Sequence, residues 1–438
     1  METKTIIERL RERHNITDLN EMQQQMAATD SRELILLSPT GSGKTAAFTL
    51  RLLRFLSPSD GNVQAVVMAP SRELVIQIAD VIRPVAAGLK TVAFYGGHPM
   101  TDEINSLSVT PDIIVATPGR LLDHLKRKTL SVSDVKALVL DEYDKSLELG
   151  FHDEMQRIVK KMQHLQFAIL TSATPLAELP EFLKLKKPEV LDFTRRKPAG
   201  GRLNTVRVDS VERDKLPALE ALLRSLDNGK VLVFVNHRES AERVYDDLRK
   251  KGFPVGIYHG GLEQRERKLA VDLLNNGTTP ILVSTDLGAR GLDIDNVKNV
   301  IHYHLPLSLE SWTHRNGRTA RMGADGTVYT IISDGENIPE YVCWQREYQP
   351  RSESSDPIRS DYATIYINAG KKERISRGDI AGFLIHKGEL KPDQIGKIIV
   401  DDHSAIVAVP RNVLNDGLLD RLAPHKLKNT RVRLSLLA

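Results

Sequence analysis

Two series of short apolar segments constrain the fold of this chain more than any other feature of its sequence. Near-continuous runs of Val, Ile and Leu, separated by stretches with helical spacing, are typical of buried parallel strands in α/β units. The first series comprises Leu34–Leu37, Ala65–Ala69, Ile113–Ala116, Ala137–Leu140 and Phe167–Leu170. The second comprises Lys230–Val235, Val255–Tyr258, Ile281–Ser284, Val300–Tyr303 and Val328–Ile332. The sequence therefore predicts two parallel-sheet α/β domains of similar size.

Two changes of composition mark the borders of these domains. The basic stretch from Phe193 to Leu203 is rich in Gly and Pro, and the stretch from Gln349 to Asp361 lacks apolar periodicity and indicates a flexible tether. Beyond it, the predicted elements are Ala363–Ile367 (strand), Asp379–His386 (helix), Ile395–Val400 and Ser404–Val409 (strands), Asn412–Leu422 (helix) and Thr430–Leu437 (strand). This βαββαβ order predicts a small RRM-like α+β domain. We therefore expect domains over residues 1–195, 204–345 and 362–438, with a linker over residues 346–361.

Composition excludes several classes of protein. The single cysteine, Cys343, rules out an intrachain disulfide framework and a cysteine-rich zinc site. No apolar run approaches the length of a membrane span, and the charged first residues lack a signal-peptide pattern, so a cytoplasmic location without membrane contact is expected. Residues 361–438 contain 13 Lys and Arg against 9 Asp and Glu, while the rest of the chain is balanced at 48 of each. The net charge of +4 therefore lies in the last domain, which is compatible with nucleic-acid binding.

The segment Ser38–Thr45 (SPTGSGKT) is the sharpest motif in the chain. It follows a predicted strand and precedes a helical pattern from Ala46 to Leu56, which is the setting a phosphate-binding loop requires. Its glycines let backbone N–H groups surround phosphate oxygens, and the helix N-terminus adds positive potential. We expect Lys44 to reach the β- and γ-phosphates and Thr45 to supply a hydroxyl to Mg²⁺.

Two further motifs complete a predicted ATPase site. The strand Ala137–Leu140 ends in Asp141 and Glu142, which suit Mg²⁺ binding and activation of the attacking water. In the second half, Arg318 and Arg321 are three residues apart. We expect the two guanidinium groups to share one helical face and to stabilise charge on the γ-phosphate.

These motifs form an ordered series that resembles the DEAD-box RNA helicases of superfamily two over roughly the first 345 residues. The matching elements are Gln23, Ser38–Thr45, Pro70–Leu74, Gly96–Gly97, Thr117–Arg120, Asp141–Asp144, Ser172–Thr174, Val233–Asn236, Gln264 with Arg267, Thr285–Asp293 and His314–Arg321. The resemblance implies two tandem RecA-like domains, ATP and Mg²⁺ as cofactors, and RNA-dependent ATP hydrolysis coupled to local RNA unwinding. It also implies that ATP and RNA bring the two halves of the site together.

The resemblance implies a role for each matching residue. Those implied to bind the nucleotide are Gln23, Ser38, Thr40, Gly41, Ser42, Gly43, Lys44, Thr45, Asp141, Gly291, Asp293, Arg318 and Arg321, with Thr45 and Asp141 at the metal. Those implied to be catalytic are Lys44, Glu142, Arg318 and Arg321. Those implied to couple the ATP state to the closed form are Asp144, Ser172, Thr174 and His314. Those implied to line the RNA backbone are Arg72, Gly97, Thr117, Arg120, Gln264, Arg267 and Thr285.

The last domain resembles the RNA-binding domain of bacterial DEAD-box helicases of the DbpA type. The similar segments are Gly370–Arg374, Arg377–Ile380, Gln394–Ile398 and Arg431–Leu434. This resemblance implies targeting to large-subunit ribosomal RNA during ribosome assembly. The predicted third strand has no aromatic residue and Tyr366 stands alone on the first, so base stacking on the sheet is not expected. The predicted RNA contacts are instead Lys371, Lys372, Arg374, Arg377, Lys397 and Arg411.

Two departures from the DEAD-box pattern and three alternatives stay open at this point. Tyr143 stands where the family has Ala, and Ile6 stands where it has the aromatic residue that stacks on adenine. The chain is expected to be a monomer, although the last domain is also a candidate for dimerisation. An ATP-gated RNA clamp and a DNA-directed translocase are the alternatives to an RNA helicase.

Overall fold

The computed structural model describes residues 2–14, 16, 18–39, 41–175, 179–194, 202–286, 294, 297–320, 324–350, 358–415 and 417–437. The chain divides into two compact units, with the border at residues 200 and 201. The first unit, domain 1, is one α/β domain. The second unit contains another α/β domain, domain 2, followed by the small C-terminal domain.

Domain 1 is built on a parallel sheet of seven strands, in the order β3-β4-β2-β5-β6-β1-β7. The strands are β1 Glu33–Leu37, β2 Ala65–Met68, β3 Thr91–Phe94, β4 Ile113–Ala116, β5 Ala137–Leu140, β6 Phe167–Ser172 and β7 Glu189–Asp192. The helices are α1 Thr3–His14, α2 Glu21–Ala28, α3 Lys44–Phe55, α4 Arg72–Val85, α5 Met100–Ser106, α6 Pro118–Lys126, α7 Tyr143–Glu148 and α8 His152–Val159, with a 3₁₀ turn at Glu181–Leu183. Alternate residues of β2 enter two separate hydrophobic cores, one on each face of the sheet. The continuous apolar runs of the sequence reflect this burial on both faces.

Domain 2 repeats this plan with a second parallel sheet, in the order β10-β11-β9-β12-β13-β8-β14. Its strands are β8 Leu203–Ser210, β9 Lys230–Val235, β10 Val255–Tyr258, β11 Ile281–Thr285, β12 Val297–His302, β13 Gly326–Ser333 and β14 Arg346–Glu347. Its described helices are α9 Leu216–Ser225, α10 Arg238–Lys250, α11 Gln264–Asn275 and α12 Leu309–Asn316. In both domains the carboxyl ends of the parallel strands meet along one edge, which is where ligands bind in α/β sheets.

The C-terminal domain has an antiparallel sheet in the order β16-β17-β15-β18. Its elements are β15 Tyr362–Ile367, α13 Arg377–Gly388, a 3₁₀ turn at Pro392–Gln394, β16 Ile398–Val400, β17 Ala405–Pro410, α14 Arg411–Asn415, α15 Leu418–Leu422 and β18 Leu434–Leu437. Helices and sheet enclose one hydrophobic core. The predicted βαββαβ order and the predicted fold class are confirmed.

Each predicted strand of the two series is present, with bounds that shift by up to three residues. Four strands escaped the sequence analysis: β3, β7, β8 and β14. The single helix predicted over residues 412–422 is two short helices, α14 and α15. The stretch from Phe193 to Leu203 has Phe193 in the core of domain 1 and Leu203 at the start of β8, while residues 195–201 lie outside the described part.

Candidate active site

The phosphate-binding loop lies between β1 and α3 of domain 1. Gly41 and Gly43 have φ angles of 79° and 90°, a left-handed conformation that glycine adopts without steric cost. The Lys44 side chain is 8% exposed, and its Nζ donates to the carbonyl oxygens of Ser38 at 2.6 Å and Pro39 at 3.4 Å. Because α3 begins at Lys44, its first backbone N–H groups face the loop, which favours an anion there. Thr40 lies outside the described residues.

The helix α2 connects Gln23, one of the residues implied to bind the nucleotide, to this loop. Asn20 and Gln23 form a reciprocal capping box at the start of α2. Asn20 Nδ2 also donates to the Ser42 carbonyl at 2.9 Å, and Gln23 Nε2 donates to the Gly43 carbonyl at 3.4 Å. A Cβ atom at position 43 would lie 2.7 Å from Gln23 Nε2, so a side chain there would displace the amide. Direct hydrogen bonds therefore join the start of α2 to the phosphate-binding loop.

The carboxylates that end β5 are both buried, with Asp141 2% and Glu142 7% exposed. Burial and, to a smaller extent, the Glu142 charge raise the pKa of Asp141 to about 6, against the opposing effects of Thr171 and Lys44. The Thr171 hydroxyl donates to Asp141 Oδ1 at 2.5 Å and accepts from the Glu142 backbone N–H at 3.1 Å. Sequence reasoning missed Thr171, although it directly precedes a recognised motif. Thr171 thus holds the Asp141 side chain close to the Glu142 backbone.

A second network joins three of the predicted coupling residues of domain 1. Asp144 Oδ2 accepts from the Thr174 hydroxyl at 3.1 Å and from the Ala173 N–H at 3.3 Å. The Ser172 hydroxyl donates to the Thr174 carbonyl at 2.5 Å and accepts from the Thr174 N–H at 3.2 Å. The structure therefore links the acidic motif to the end of β6 by direct hydrogen bonds.

Three of the predicted RNA-contact residues of domain 1 converge through Gly97 and the loop that follows it. Gly97 has a φ of 98°, and a Cβ atom there would lie 2.3 Å from Arg72 Nη1, so the guanidinium rests on the glycine backbone. Arg120 Nη2 donates to the His98 carbonyl at 3.1 Å. Thr117, the fourth, is the N-cap of α6, the helix that carries Arg120.

The carboxylate of Glu103, which sequence reasoning missed, holds this cluster together. Glu103 is 4% exposed and accepts from Arg120 Nε at 2.6 Å and from the Tyr95 N–H at 3.0 Å. The ring nitrogens of His124 and His98 lie 2.8 Å and 3.0 Å from its oxygens. Burial raises the pKa of Glu103, but the hydrogen bonds from His124 and Arg120 outweigh it and lower the pKa below the usual value. An ionised Glu103 therefore positions Arg120.

Replacing Glu103 with alanine is expected to weaken RNA activation of the ATPase by raising the KM for RNA. The change removes the carboxylate partner of the partly buried Arg120, and breaking a buried ion pair in this way typically costs about 3–5 kcal/mol. ATPase assays across an RNA titration, with thermal unfolding alongside, measure both effects. The control is Asp102→Ala, which removes the neighbouring exposed carboxylate. Equal KM values for the two variants would show that Glu103 does not position the RNA contact.

In domain 2, Arg315 is the largest fully buried side chain, at 1% exposed. Its Nε and Nη2 donate to the two carboxylate oxygens of Asp286, both at 2.6 Å. The guanidinium also donates to the His304 carbonyl and to Asn236 Oδ1, each at 2.8 Å, and lies 5.2 Å from the ring centre of Phe234. Arg315 thus ties together the ends of three strands: β9, β11 and β12. Sequence reasoning placed Arg315 in a motif but gave it no role.

The other predicted residues of domain 2 occupy the carboxyl edge of the sheet or its neighbouring turns. Thr285 ends β11 at 6% exposed, and His314 and Arg318 are 7% and 5% exposed. Gln264 and Arg267 open α11, where Arg267 donates to the carbonyls of Leu262 and Gly260.

Arg318 does not lie on a helix, although a helical face shared with Arg321 was expected. The helix α12 ends at Asn316, and Thr319 already forms an isolated bridge with Val297, so Arg318 lies in a turn. Gly291, Asp293 and Arg321 lie outside the described residues.

The predicted basic residues of the C-terminal domain fall into two groups. Lys371, Lys372 and Arg374 are exposed on the loop after β15, and Arg377 is exposed at the first position of α13. Lys397 precedes β16, and Arg411 opens α14 and donates to the Ser360 carbonyl at 2.9 Å. The first four therefore form one basic loop, residues 370–377, and the last two lie elsewhere in the fold.

The basic loop is held by its own backbone. The N–H groups of Lys371 and Lys372 donate to the carbonyls of Asp401 and Asp402, both at 2.8 Å. A Cβ atom on Gly370 would lie 2.1 Å from the Asp401 carbonyl oxygen, so only glycine permits this approach. The lysine side chains are thus displayed from an ordered support.

The two departures from the DEAD-box pattern are core residues here. Ile6 is 0% exposed and packs with Leu10 in the core of domain 1, so it is not placed to stack on a nucleotide. Tyr143 is 1% exposed in the second core of domain 1, where burial raises its pKa to about 12. The Tyr143 ring therefore packs in the hydrophobic core next to the site.

Comparison with known proteins bears on all three domains. Residues 20–182 match the DEAD/DEAH box helicase family, residues 214–323 match the helicase conserved C-terminal domain, and residues 364–436 match the DbpA RNA-binding domain. The chain is 34% identical to the ATP-dependent RNA helicase DbpA of Escherichia coli, across 93% of this chain and 91% of that protein. The chain belongs to the DEAD-box ATP-dependent RNA helicases. DbpA of Bacillus subtilis is 28% identical across 95% of this chain and 93% of its own.

Solved DEAD-box structures share the fold of the helicase core. Dbp5 of Saccharomyces cerevisiae bound to RNA and ADP BeF3 is 27% identical, with a TM-score of 0.67 over 75% of this chain and 87% of its own. Mss116p bound to single-stranded RNA and AMP-PNP is also 27% identical, with a TM-score of 0.67 over 80% of this chain and 78% of its own. The chain is therefore an RNA-dependent ATPase with two RecA-like domains and a DbpA-type RNA-binding domain. No described helix is long and apolar enough to cross a membrane.

Proposed function

We propose that this DEAD-box helicase uses Mg²⁺-dependent ATP hydrolysis to separate short RNA duplexes, and that its C-terminal domain directs it to large-subunit ribosomal RNA during ribosome assembly. We further propose that it acts as a cytoplasmic monomer. The observation that carries the targeting proposal is the ordered basic loop, residues 370–377, on a domain of the DbpA type. Crosslinking in cells followed by sequencing of the bound RNA tests it, since ribosomal RNA should dominate the recovered sequences.

The ATPase chemistry follows from the residues around the phosphate loop. Lys44 would neutralise charge on the β- and γ-phosphates, and Glu142 would accept a proton from the attacking water. Among the described residues no group of three or more His, Cys, Asp or Glu side chains could hold a metal alone. This composition fits Mg²⁺, which is usually bound by one or two carboxylates together with phosphate oxygens and water. Asp141 and Thr45 are the residues that would hold it, and the ion would offset the charge of the leaving phosphates.

Reversing the charge of the basic loop is expected to lower the affinity for structured ribosomal RNA. The full-length double variant Lys371→Glu, Lys372→Glu loses two phosphate contacts, which should weaken binding by about tenfold or more and flatten its salt dependence. The ATPase rate at saturating single-stranded RNA should be unchanged, because the core contacts remain. Gel-shift titrations at several salt concentrations measure the first effect.

A matched control separates this effect from net charge. The double variant Lys387→Glu, Lys426→Glu changes the charge of the same domain equally at two other exposed positions. It should bind ribosomal RNA as the unmodified chain does. If both double variants weaken binding alike, the basic loop is not the recognition surface and the domain attracts RNA by charge alone.

A further inference from the structure

A buried histidine, His259, lies at the start of the turn between β10 and α11 of domain 2. The strand β10 ends at Tyr258, and His259 follows it at 3% exposed. The backbone nitrogen of Gly261 lies 3.1 Å from His259 Nδ1. Because a backbone N–H group can only donate, Nδ1 is the acceptor of this hydrogen bond. The imidazole ring therefore carries no proton on Nδ1.

Arg267 of α11 holds the same turn from its other side. Its Nε donates to the Leu262 carbonyl at 3.0 Å, and its Nη2 donates to the Gly260 carbonyl at 3.1 Å. The Leu262 N–H donates to the His259 carbonyl at 3.2 Å, which closes the turn. The side chains of His259 and Arg267 thus bind the backbone of three consecutive residues, 260–262, from two directions.

The two side chains that approach Gly261 leave no room for a side chain at this position. A Cβ atom on Gly261 would lie 2.7 Å from Arg238 Nη1 and 3.1 Å from His259 Nδ1. Contacts this short would force the guanidinium or the imidazole to move. Glycine at position 261 is therefore what lets the imidazole reach the backbone N–H.

The turn decides where α11 begins and how its first side chains are held. Glu263 is the N-cap of α11 and forms a capping box with Glu266. Gln264 and Arg267, the residues expected to contact the RNA backbone, lie in the first two turns of this helix. Arg267 donates to two carbonyl groups of residues 260–262, so the orientation of its guanidinium group depends on the conformation of the turn.

The surroundings of His259 favour the neutral ring. Burial lowers the pKa of His259 below its usual value. The charged groups around the ring on α10 and α11 are Glu242 and Glu266, which raise this pKa, and Arg238 and Arg267, which lower it. The neutral ring carries its proton on Nε2, 3.6 Å from a carboxylate oxygen of Glu242. A second proton would place an N–H group at Nδ1 directly against the backbone N–H and break their hydrogen bond.

We propose that His259 is a positioning residue for RNA activation of the ATPase, because its Nδ1 fixes residues 260–262 and, through them, the Arg267 guanidinium group and the start of α11. This inference rests on the proposed function in one respect, namely that Gln264 and Arg267 contact the RNA. Loss of the hydrogen bond would let the turn change shape and weaken RNA binding, while the residues around the phosphate loop stay in place. Such a loss of binding raises the KM for RNA and leaves kcat unchanged.

Two amide substitutions test the role of Nδ1, because they replace different ring nitrogens. In His259→Asn the amide oxygen can take the place of Nδ1, whereas in His259→Gln it reaches only the place of Nε2. His259→Gln should raise the KM for single-stranded RNA in the ATPase assay by about three- to tenfold, the usual effect of one lost neutral hydrogen bond, at unchanged kcat. His259→Asn should keep the KM of the unmodified chain. An unchanged KM in His259→Gln, or an equal rise in both variants, would overturn the proposal.

The pH dependence of the KM for RNA is a second measurement, made on the unmodified chain beside His259→Asn. In the unmodified chain the KM should be constant above about pH 6.5, the usual pKa of histidine, and should rise at lower pH as the ring gains its second proton. The rise should be absent from His259→Asn, which has no group to titrate at this position. Asp141, with a pKa of about 6, titrates in the same range in both proteins, so their comparison isolates His259. An equal rise in both proteins would contradict the proposal.

The variant Arg267→Ala separates this inference from the RNA contact on which it rests. It should raise the KM for RNA at least as much as His259→Gln, because it removes both the expected contact and the second support of the turn. An unchanged KM in Arg267→Ala would show that α11 does not contact RNA, and both the contact and the role of His259 would fall. A raised KM in Arg267→Ala beside an unchanged KM in His259→Gln would support the contact and overturn the role of His259 alone.

Discussion

Replacing Glu142 with glutamine is expected to leave ATP binding intact and to lower the rate of ATP turnover by about 10²–10⁴-fold, the contribution of a general base. Glutamine has nearly the same shape as glutamate but does not accept a proton from water at neutral pH. The loss corresponds to about 3–5 kcal/mol in the activation free energy, at 1.36 kcal/mol for each factor of ten. Fluorescent nucleotide titration measures the binding, and phosphate release with saturating RNA measures the turnover.

The backbone at Glu142 supports this assignment. Its φ of 47° and ψ of 53° place a non-glycine residue in the left-handed region, a conformation that costs free energy and recurs at functional sites. The Thr171 hydroxyl holds the Glu142 N–H at 3.1 Å in this conformation, and α7 starts at the next residue. The carboxylate is therefore fixed at the carboxyl end of β5, on the side of the sheet edge where the phosphate loop also lies.

The matched control is Glu181→Gln, which changes an exposed glutamate of the same domain in the same way. Its turnover should equal that of the unmodified chain. Normal turnover in Glu142→Gln would exclude Glu142 as the base. If the unmodified chain and both variants all bound ATP and RNA without turnover, the chain would be an RNA clamp of the kind that its sequence left open.

Most of the strands that the sequence predicted in the two α/β domains are buried on both faces. Their side chains are apolar regardless of direction, so a run such as Ala137–Leu140 stands out without any periodicity. The strands that were missed lie at positions where this rule fails. The edge strand β7 is largely exposed, and β8 alternates polar and apolar residues next to a stretch that looks like a linker. The position of a strand in the sheet decides its pattern of polar and apolar residues, and the sequence does not show that position.

The candidate site divides in a similar way. Phosphate-loop residues were predictable because eight consecutive positions carry the chemistry. Glu103, Thr171 and Arg315 were not, because each acts on residues that the fold brings from elsewhere in the chain. Glu103 reaches Arg120, 17 positions away, and Arg315 reaches Asp286, 29 positions away. The role of a buried charged residue depends on its partners, and the sequence alone does not show which residues these are.

Replacing Arg315 with alanine is expected to destabilise domain 2 by about 3–5 kcal/mol, the usual cost of removing one partner from a buried ion pair. The change leaves Asp286 and two further acceptors without the donors that satisfy them. It also removes the positive charge that, after burial, helps to lower the pKa of His302 to about 3. Urea unfolding followed by tryptophan fluorescence measures the loss, because both tryptophans of the chain, Trp312 and Trp344, lie in domain 2.

Two controls separate the ion pair from a general effect of substitution. The exposed Arg213→Ala should shift the free energy of unfolding by less than about 0.5 kcal/mol. The double variant Arg315→Ala, Asp286→Ala should lose less than the sum of its single variants, because it leaves no unpaired charge in the interior. Additive losses would show that the two side chains act independently. An unchanged unfolding midpoint in Arg315→Ala would mean that water enters the site and solvates the Asp286 carboxylate. The guanidinium group would then not be what joins β9, β11 and β12.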